Sequence, residues 1–259
     1  MPLETEFGKL TLIGGGYHSR VYANQRRQVI KVYKQNIGLH LLEAANMRQA
    51  GLGDWVIATL VVGGQEALVM QHFDGAPVTA QTVQTALPAL GVFLRSMHTA
   101  KQEAVNLEAL HQRLERFRSS LNSYPELTPF LARVDQALKS HVLETSRSFC
   151  HLDLWSDNIL FAAPDQVRVV DWHKAAWDDA ARDYAILFTG TLELLPVAQA
   201  TAAILELAKL ENGVLERLPA YIALTTLHDL YWFLEKQPEN FLAAFALKVP
   251  RVTWFLEQV

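Results

Sequence analysis

The fold is decided by the stretch His151-Leu152-Asp153-Leu154-Trp155-Ser156-Asp157-Asn158 and the two short apolar runs that follow it. The runs cover residues 159–162 and 167–170, and the Ala-Pro-Asp-Gln segment between them has a composition typical of turns. We therefore predict an antiparallel hairpin. In such a hairpin the residue entering the first strand lies near the residue leaving the second, so Asn158 and Asp171 are predicted neighbours.

Three oxygen-bearing side chains, Asp153, Asn158 and Asp171, then belong to one predicted site. Phosphoryl transfer needs a carboxylate that orients the attacking hydroxyl, hard oxygen ligands for magnesium, and cations that hold the phosphates. Asp153 fits the first role. Asn158 and Asp171 fit the second, because Mg²⁺ prefers carboxylate, amide and water oxygens. The four residues between Asp153 and Asn158 also match the spacing of a kinase catalytic loop.

The first third of the chain predicts a small antiparallel sheet interrupted by one helix. Short runs rich in Val, Ile, Leu and Tyr predict strands over residues 9–13, 20–23, 28–33, 55–62 and 66–70. A helix is predicted over residues 38–50, with Leu39, Leu42 and Met47 on its buried stripe and Gly51 ending it.

The phosphate-holding cation is predicted in this sheet, where Lys31 lies inside the apolar run Val29-Ile30-Lys31-Val32-Tyr33. A buried ammonium needs a partner, and Glu43 in the following helix is the predicted one. Upstream, Gly14, Gly15 and Gly16 predict a turn between two strands, with backbone amides that can approach phosphates.

The chain becomes helical after a Gly- and Pro-containing connector, which predicts three parts: an N-lobe over residues 1–71, a hinge over 72–78 and a helical C-lobe over 79–259. Apolar residues recur at helical spacing in two segments, and the last third is predicted to be helices broken at Pro196, Gly213 and Pro238. The spaced residues are Leu107, Leu110, Leu114, Phe117 and Leu121, then Phe130, Val134 and Leu138. The predicted class is α+β.

These motifs resemble those of the aminoglycoside phosphotransferase and choline kinase-like family, over about residues 10–184. The family's H-G-D-x-x-x-x-N loop falls on His151, Leu152, Asp153 and Asn158, and its I-D-W-E motif falls on residues 170–173. Asp179 and Asp183 match the spacing of its D-P-x-x-D-L-A element. Residues 68–71 resemble its strand entering the ATP hinge, and residues 94–98 its L-x-x-L-H helix.

The resemblance implies a protein kinase-like two-lobe fold with ATP between the lobes. It implies that Asp153 is catalytic, that Asn158 and Asp171 hold Mg²⁺, and that a small molecule such as an aminoglycoside, an amino alcohol or a sugar-like compound supplies the hydroxyl. The remaining implied residues bind the nucleotide or support the loop: Gly14, Gly15, Gly16, Lys31, Glu43, Gln71, His72 and Phe73 for the nucleotide, and His151, Asp179 and Asp183 for support.

Three positions depart from the patterns. Leu152 replaces the usual glycine, His173 stands where an acid is common, and Ser19 replaces the last glycine of the protein-kinase loop. None of them removes a required ligand. Asp157 and Asp178, close to the loop, either suit a cationic acceptor or are solvated surface charge.

Composition excludes several other classes. A net charge of −4 and a pI near 6.1, without a basic run, argue against nucleic-acid binding. The N-terminus lacks the features of a signal peptide and no apolar stretch is long enough for a membrane, so a cytoplasmic monomer or homodimer is expected. Cys150 is the only cysteine, which excludes an intrachain disulfide, and we expect it to pack in the core.

Two other functions use the same residues. His151-x-Asp153 and Asp171-x-His173 are candidate ligands for a dinuclear metal phosphohydrolase, although that reading lacks further ligands and gives Lys31 and Glu43 no role. A non-catalytic nucleotide-binding pseudokinase is the other alternative. Such proteins usually lose a metal ligand or the base, whereas each expected position is filled in this sequence.

Overall fold

The computed structural model describes residues 3–259, which divide into two compact units. The first unit runs to Ala76 and also includes Val170–Ala176, whereas the second comprises Pro77–Val169 and Trp177–Val259. Strands dominate the first unit and helices the second, which confirms the predicted α+β class.

The first unit is built on a five-stranded antiparallel sheet in the order β1-β2-β3-β5-β4. Its elements are α1 (Leu3–Phe7), β1 (Leu10–Gly15), β2 (Ser19–Asn24), β3 (Gln28–Tyr33), α2 (Leu39–Gln49), β4 (Val56–Val62) and β5 (Gln65–Gln71). The five strands and the helix after the third strand confirm the predicted order. Helix α1 was not predicted, because five residues give too short a pattern to recognise.

Successive side chains of β3 point to opposite faces of the sheet, and both faces are covered by other parts of the unit. Ile30 and Val32 pack with Phe7 and the strands β4 and β5 in one apolar cluster. Lys31 and Tyr33 leave the opposite face and reach α2. Both faces of this central strand are therefore buried, and the lysine is enclosed by protein.

The predicted buried stripe of α2 was partly wrong. Met47 is buried, but Leu42 is 46% exposed and Leu39 is only partly buried. The buried face instead contains His40 and Glu43 beside Ala44. Hydrophobicity alone does not predict that these polar residues are buried, because their burial depends on partners in the tertiary structure.

The second unit holds the remaining strands and seven helices. The strands are β6 (Ala76–Pro77), β7 (Ala100–Ala104), β8 (Ser146–Cys150), β9 (Ile159–Ala162), β10 (Gln166–Val169) and β11 (Ala176–Asp178). The helices are α3 (Val83–Met97), α4 (Leu107–Ser120), α5 (Thr128–Lys139), α6 (Ala181–Ile186), α7 (Val197–Lys209), α8 (Val214–Lys236) and α9 (Pro238–Glu257). Strands β6 and β11 each extend across a boundary between the units.

Most of the predicted helical stripes are buried. In α4 and α5 the spaced residues form the core side, with Leu107 and Leu138 only partly covered. The fully buried members are Leu110, Leu114, Phe117, Leu121, Phe130 and Val134. The three predicted breaks are confirmed, since α7 follows Pro196, α8 follows Gly213 and α9 begins at Pro238.

The predicted hairpin is confirmed as the antiparallel pair β9 and β10, with Ile159 opposite Val169. Its second strand begins and ends one residue earlier than predicted. The pairing of β7 with β8 was not predicted, because the polar, exposed Ala100–Ala104 run lacks alternation. Cys150, the last residue of β8, is fully buried as expected. No helix within residues 3–259 has both the length and the apolar character needed to cross a membrane.

Candidate active site

A buried ammonium group lies at the centre of the first unit. Lys31 Nζ donates to both carboxylate oxygens of Glu43, at 2.9 and 2.7 Å, and to Asp171 Oδ1 at 2.8 Å. Lys31 is 6% exposed and Glu43 1%. The predicted Lys31–Glu43 pair is thus confirmed, and the structure adds Asp171 as a second carboxylate on the same nitrogen.

The electrostatics of this triad favour the charged forms of Lys31 and Asp171. Burial alone would lower the pKa of Lys31, but the charges of Glu43 and Asp171 raise it above its ordinary value. Burial would likewise raise the pKa of Asp171, yet a hydrogen bond from His173 and the charge of Lys31 hold it well below its usual range. Tyr33 donates its hydroxyl to Glu43 Oε2 at 2.5 Å and completes the cluster.

The segment that carries Asp171 is fastened to α2. Trp172 is fully buried, and its amide donates to Glu43 Oε1 at 3.2 Å. Asn46, one turn further along the helix, donates its side-chain amide to the carbonyls of Trp172 and Ala175 at 2.8 and 3.2 Å. These hydrogen bonds explain why Val170–Ala176 belongs to the first unit.

The glycine-rich segment is tighter than predicted. Gly14 and Gly15 lie within β1, which extends to Gly15 through a bulge, and the turn itself covers residues 16–18. Gly16 donates its amide to the Ser19 carbonyl at 3.0 Å. A Cβ on Gly15 would lie 3.1 Å from the Ser19 carbonyl oxygen, so this close approach of two strands requires glycine.

The predicted nucleotide-base residues lie at the end of β5. Gln71 is its last residue and donates its side-chain amide to the Asp54 carbonyl at 2.7 Å. The His72 amide donates to the Arg27 carbonyl at 3.0 Å, which continues the β3–β5 pairing by one bond. Phe73 stacks edge-on against Trp55, with ring centroids 6.1 Å apart. A role in binding the base stays a prediction for all three.

In the second unit, Asp153 and Asn158 are held together by the loop between β8 and β9. Asn158 Nδ2 donates to the Asp153 carbonyl at 2.8 Å and to Asp153 Oδ2 at 3.1 Å. A 3-10 turn over Ser156–Asn158 closes the loop and leads into β9. The Asn158 amide thus orients the predicted catalytic carboxylate, which is 6% exposed. Asp171 belongs to the other unit, so its predicted proximity to Asn158 stays a prediction.

Asp183 braces the loop from behind. Its buried carboxylate accepts hydrogen bonds from the amides of His151 and Leu152, at 2.8 and 2.7 Å. Leu152 has φ of 61°, in the left-handed region that side chains with a Cβ rarely adopt. Glycine would adopt this conformation without strain, and the two hydrogen bonds to Asp183 hold the loop in place with Leu152 at this position.

Contacts from His98 and Glu211 support this brace, and Arg217 binds the neighbouring Asp179. His98 donates or accepts on both ring nitrogens, to Asp183 Oδ2 at 3.1 Å and to Glu211 at 2.9 Å. Burial would lower the pKa of His98, but hydrogen bonds to Asp183 and Glu211 raise it to about 9. Asp179 accepts from the amide of Ala181, the first residue of α6, and from Arg217 at 2.7 Å.

No local sequence pattern identifies Glu211 or Arg217. Glu211 precedes α8 and Arg217 lies within it, and each contacts its partner only in the folded protein. Tyr33 was recognisable in principle, since it follows Lys31 by two residues on one strand and so shares its face.

Within residues 3–259, one group of histidine, cysteine and acidic side chains lies close enough to hold a metal ion, and it comprises His98, Cys150 and Asp183. Two of these residues are already hydrogen-bonded to each other, and burial raises the pKa of the Cys150 thiol well above its usual value. A thiol that keeps its proton is a poor ligand. The group includes none of the residues that a dinuclear phosphohydrolase would use.

The fold is shared with structures of known kinases. It matches a thermostable mutant of aminoglycoside phosphotransferase APH(4)-Ia with a TM-score of 0.71 and 15% sequence identity, covering 99% of this chain and 97% of that one. A choline/ethanolamine kinase family protein from Mesorhizobium loti gives a TM-score of 0.65 at 16% identity, covering 100% and 96%. Choline kinase LicA from Streptococcus pneumoniae gives 0.66 at 14%, covering 99% and 98%.

These likenesses confirm the predicted kinase-like fold. No curated protein matches the chain by sequence. A family model described as the phosphotransferase enzyme family does match it, over residues 9–221. The match covers most of the 259 residues, including the glycine-rich turn, the Lys31 triad and the Asp153 loop. The chain therefore belongs to the phosphotransferase enzyme family.

Proposed function

We propose that this protein transfers the γ-phosphoryl group of ATP to a hydroxyl group of a small molecule, with magnesium. The observation that carries the proposal is the buried Lys31, held by Glu43 and by the aspartate of the 170–173 motif. A lysine kept charged in a fixed position can hold phosphate oxygens, and phosphoryl transfer depends mainly on such positioning and charge stabilisation.

Asn158 and Asp171 are the proposed magnesium ligands. Their chemistry fits the ion, because Asp171 is kept ionised and the Asn158 side-chain oxygen accepts no hydrogen bond from the described residues. Hard oxygen donors of this kind suit Mg²⁺, which usually keeps several positions for water and phosphate. When bound, the ion would neutralise charge on the transferred group.

Asp153 is the proposed group that orients the acceptor hydroxyl. Asn158 donates to one of its carboxylate oxygens, which fixes the orientation in which the carboxylate would accept the hydroxyl proton. The Asp183 brace sets the backbone on which it sits. The side chain therefore needs little reorganisation when a substrate binds.

The acceptor class is proposed from the structural relatives. One APH(4)-Ia structure is a ternary complex with AMP-PNP and hygromycin B, and two other relatives are a choline/ethanolamine kinase family protein and a choline kinase. We therefore propose that the acceptor of this protein is an aminoglycoside, an amino alcohol or a sugar-like compound. Asp178 is paired with Arg182, which removes it as a free carboxylate for a cationic acceptor, whereas Asp157 is exposed.

The test is a screen for magnesium-dependent ATP consumption across amino alcohols, sugars and aminoglycosides, with parallel GTP reactions. The proposal expects an acceptor whose addition raises ADP formation well above the rate without acceptor, and no such rise in EDTA. Nucleotide binding without turnover for every acceptor would favour the pseudokinase alternative. Turnover of phosphate esters without a nucleotide would favour the phosphohydrolase.

A further inference from the structure

A small cavity lies in the helical unit. None of the residues that line it was assigned above to phosphoryl transfer. Its volume is about 90 Å³. The first turns of α4, the start of β8, residues 177–182 and α8 form its walls. Three arginines, Arg113, Arg147 and Arg182, line it, and we call it the arginine cavity.

The charge of the arginine cavity is not balanced. Asp178 is its one lining carboxylate, and it is paired with Arg182. Arg147 is paired with Glu103. Arg113 makes no hydrogen bond or ion pair with any residue in the described 3–259 range, although it is only partly exposed. Burial, together with repulsion by Arg182, lowers the pKa of Arg113, and the charge of Asp178 offsets this only in part.

Two buried donors face this positive lining, one neutral and one belonging to the Arg147 guanidinium. Tyr221 is 1% exposed, and its hydroxyl lies near the Asp179 carboxylate without completing a hydrogen bond of regular geometry within the part of the chain that the structure describes. Burial and the charges of Asp179 and Asp178 raise the pKa of Tyr221, so the hydroxyl keeps its proton and remains a donor. The buried Nε of Arg147 has no partner there either. Buried donors are nearly always satisfied in folded proteins, so these two can donate to an acceptor that enters the cavity.

The position of α4 favours an anion further. Five residues at the start of the helix and just before it line the cavity: Val105, Asn106, Ala109, Leu110 and Arg113. Asn106 caps the first turn by accepting from the Ala109 amide. The N-terminal end of a helix carries a partial positive charge, which reinforces the field of the arginines.

Size limits the class of anion. A volume of about 90 Å³ is well below the roughly 300–1,000 Å³ of pockets that hold drug-sized ligands, so a small oxyanion suits the cavity better than a nucleotide. Arginine forks match the oxygen spacing of phosphate and sulfate. We propose that the arginine cavity is a binding site for a phosphate group, either free phosphate or the phosphate of a small monoester.

The site shares a wall with the brace of the catalytic loop. Arg182 directly precedes Asp183, whose carboxylate holds the amides of His151 and Leu152. A bound oxyanion would fix Arg182 and the 177–183 segment. We expect slower amide deuterium exchange in residues 105–113 and 177–183 when phosphate is added.

The test titrates phosphate against thermal unfolding of the whole chain, without nucleotide or magnesium, at an ionic strength held constant with chloride. Wild-type protein should gain stability with saturation, because a ligand that binds only the folded state raises the unfolding temperature. Arg113→Met should weaken the apparent Kd at least about tenfold, since it removes a charge-assisted hydrogen bond. Arg116→Met, an exposed arginine on the same helix, should leave the Kd unchanged.

Tyr221→Phe supplies a milder variant in case Arg113→Met fails to fold, and it should weaken the Kd severalfold. Glycerol 3-phosphate in a parallel titration distinguishes a monoester from free phosphate, and either response, if lost in Arg113→Met, supports the proposal. An equal phosphate response in wild type, Arg113→Met and Tyr221→Phe would overturn it, as would a wild type that responds no more to phosphate than to chloride.

Discussion

At the scale of single residues, the account depends most on Asp153. Its carboxylate is buried and oriented by Asn158, which is the arrangement expected of a group that positions a hydroxyl. A positioned base typically contributes a factor of about 10² to 10⁴. Asp153→Asn should therefore lower kcat by roughly that factor while nucleotide affinity stays within about twofold. Steady-state kinetics with the acceptor from the screen, beside calorimetric titration of AMP-PNP, checks both parts. Unchanged turnover would exclude the role.

Leu152 makes a separate prediction about strain. Its φ of 61° costs a residue with a Cβ about 1–2 kcal/mol, whereas glycine adopts it freely. Leu152→Gly should thus be more stable than Leu152→Ala by about 1 kcal/mol, because both variants lose the same packing and differ mainly in backbone strain. Urea denaturation of the two variants measures this difference. An alanine variant as stable as the glycine variant would show that the loop relaxes away from the left-handed conformation.

His98 predicts how stability depends on pH. Its partners are Asp183 and Glu211, with the Tyr184 ring packed edge-on against it. Its folded pKa of about 9 exceeds the ordinary value of 6.5, so its contribution is fully present below pH 6.5 and is lost as pH rises through 9. The shift corresponds to about 3 kcal/mol. The free energy of unfolding should fall more steeply from pH 6.5 to 9.5 in wild type than in His98→Gln. If the free energy of unfolding depended on pH equally in the two proteins, the raised pKa of His98 would be contradicted.

At the scale of elements, α2 has two tasks that its sequence pattern does not reveal. It supplies Glu43 to Lys31, and it holds the Asp171 segment through Asn46. Asn46→Ala would leave two backbone carbonyls without their donor, at a cost of about 1–3 kcal/mol. Arg48→Ala, exposed on the same helix, should stay within about 0.5 kcal/mol of wild type. Chemical denaturation distinguishes the two. Equal losses would mean that the Asn46 contacts contribute nothing specific.

The elements also show where sequence reasoning works. The hairpin β9–β10 was predicted because a turn signal separates two apolar runs, and the terminal helices because proline and glycine mark their starts. Strands β7 and β8 and the buried face of α2 were missed or misassigned. The pairing of β7 with β8 and the burial of one face of α2 depend on partners distant in sequence, such as Trp172 for Asn46, and a local pattern does not contain that information.

At the scale of the whole molecule, the sequence predicted the family through a few short motifs spread over about 160 residues. Only the Lys31–Glu43 pair follows from physical reasoning about one neighbourhood, since a buried ammonium requires a carboxylate. The Asp171 contact to the same nitrogen and the Asp183–His98–Glu211 brace required the fold. The arginine cavity likewise has no motif, because its three arginines come from separate elements.

The whole molecule should also respond to metal removal. Magnesium with AMP-PNP is expected to raise the unfolding temperature, and AMP-PNP in EDTA should raise it much less, because the phosphates then lack their bridging ion. Asp171→Ala should remove the magnesium-dependent part of the shift. Asp157→Ala, an exposed acid near the loop, serves as the matched control and should retain it. A full shift in Asp171→Ala would count against the metal assignment.

The most direct test of phosphoryl transfer is ³¹P NMR of the wild-type protein with ATP, magnesium and the acceptor that the screen selects. The account predicts that the γ-phosphate resonance of ATP decays while ADP and one phosphomonoester resonance grow in equal amounts, and that EDTA stops all three changes. ATP that remains intact beside a bound acceptor, or that yields only ADP and inorganic phosphate, would contradict it.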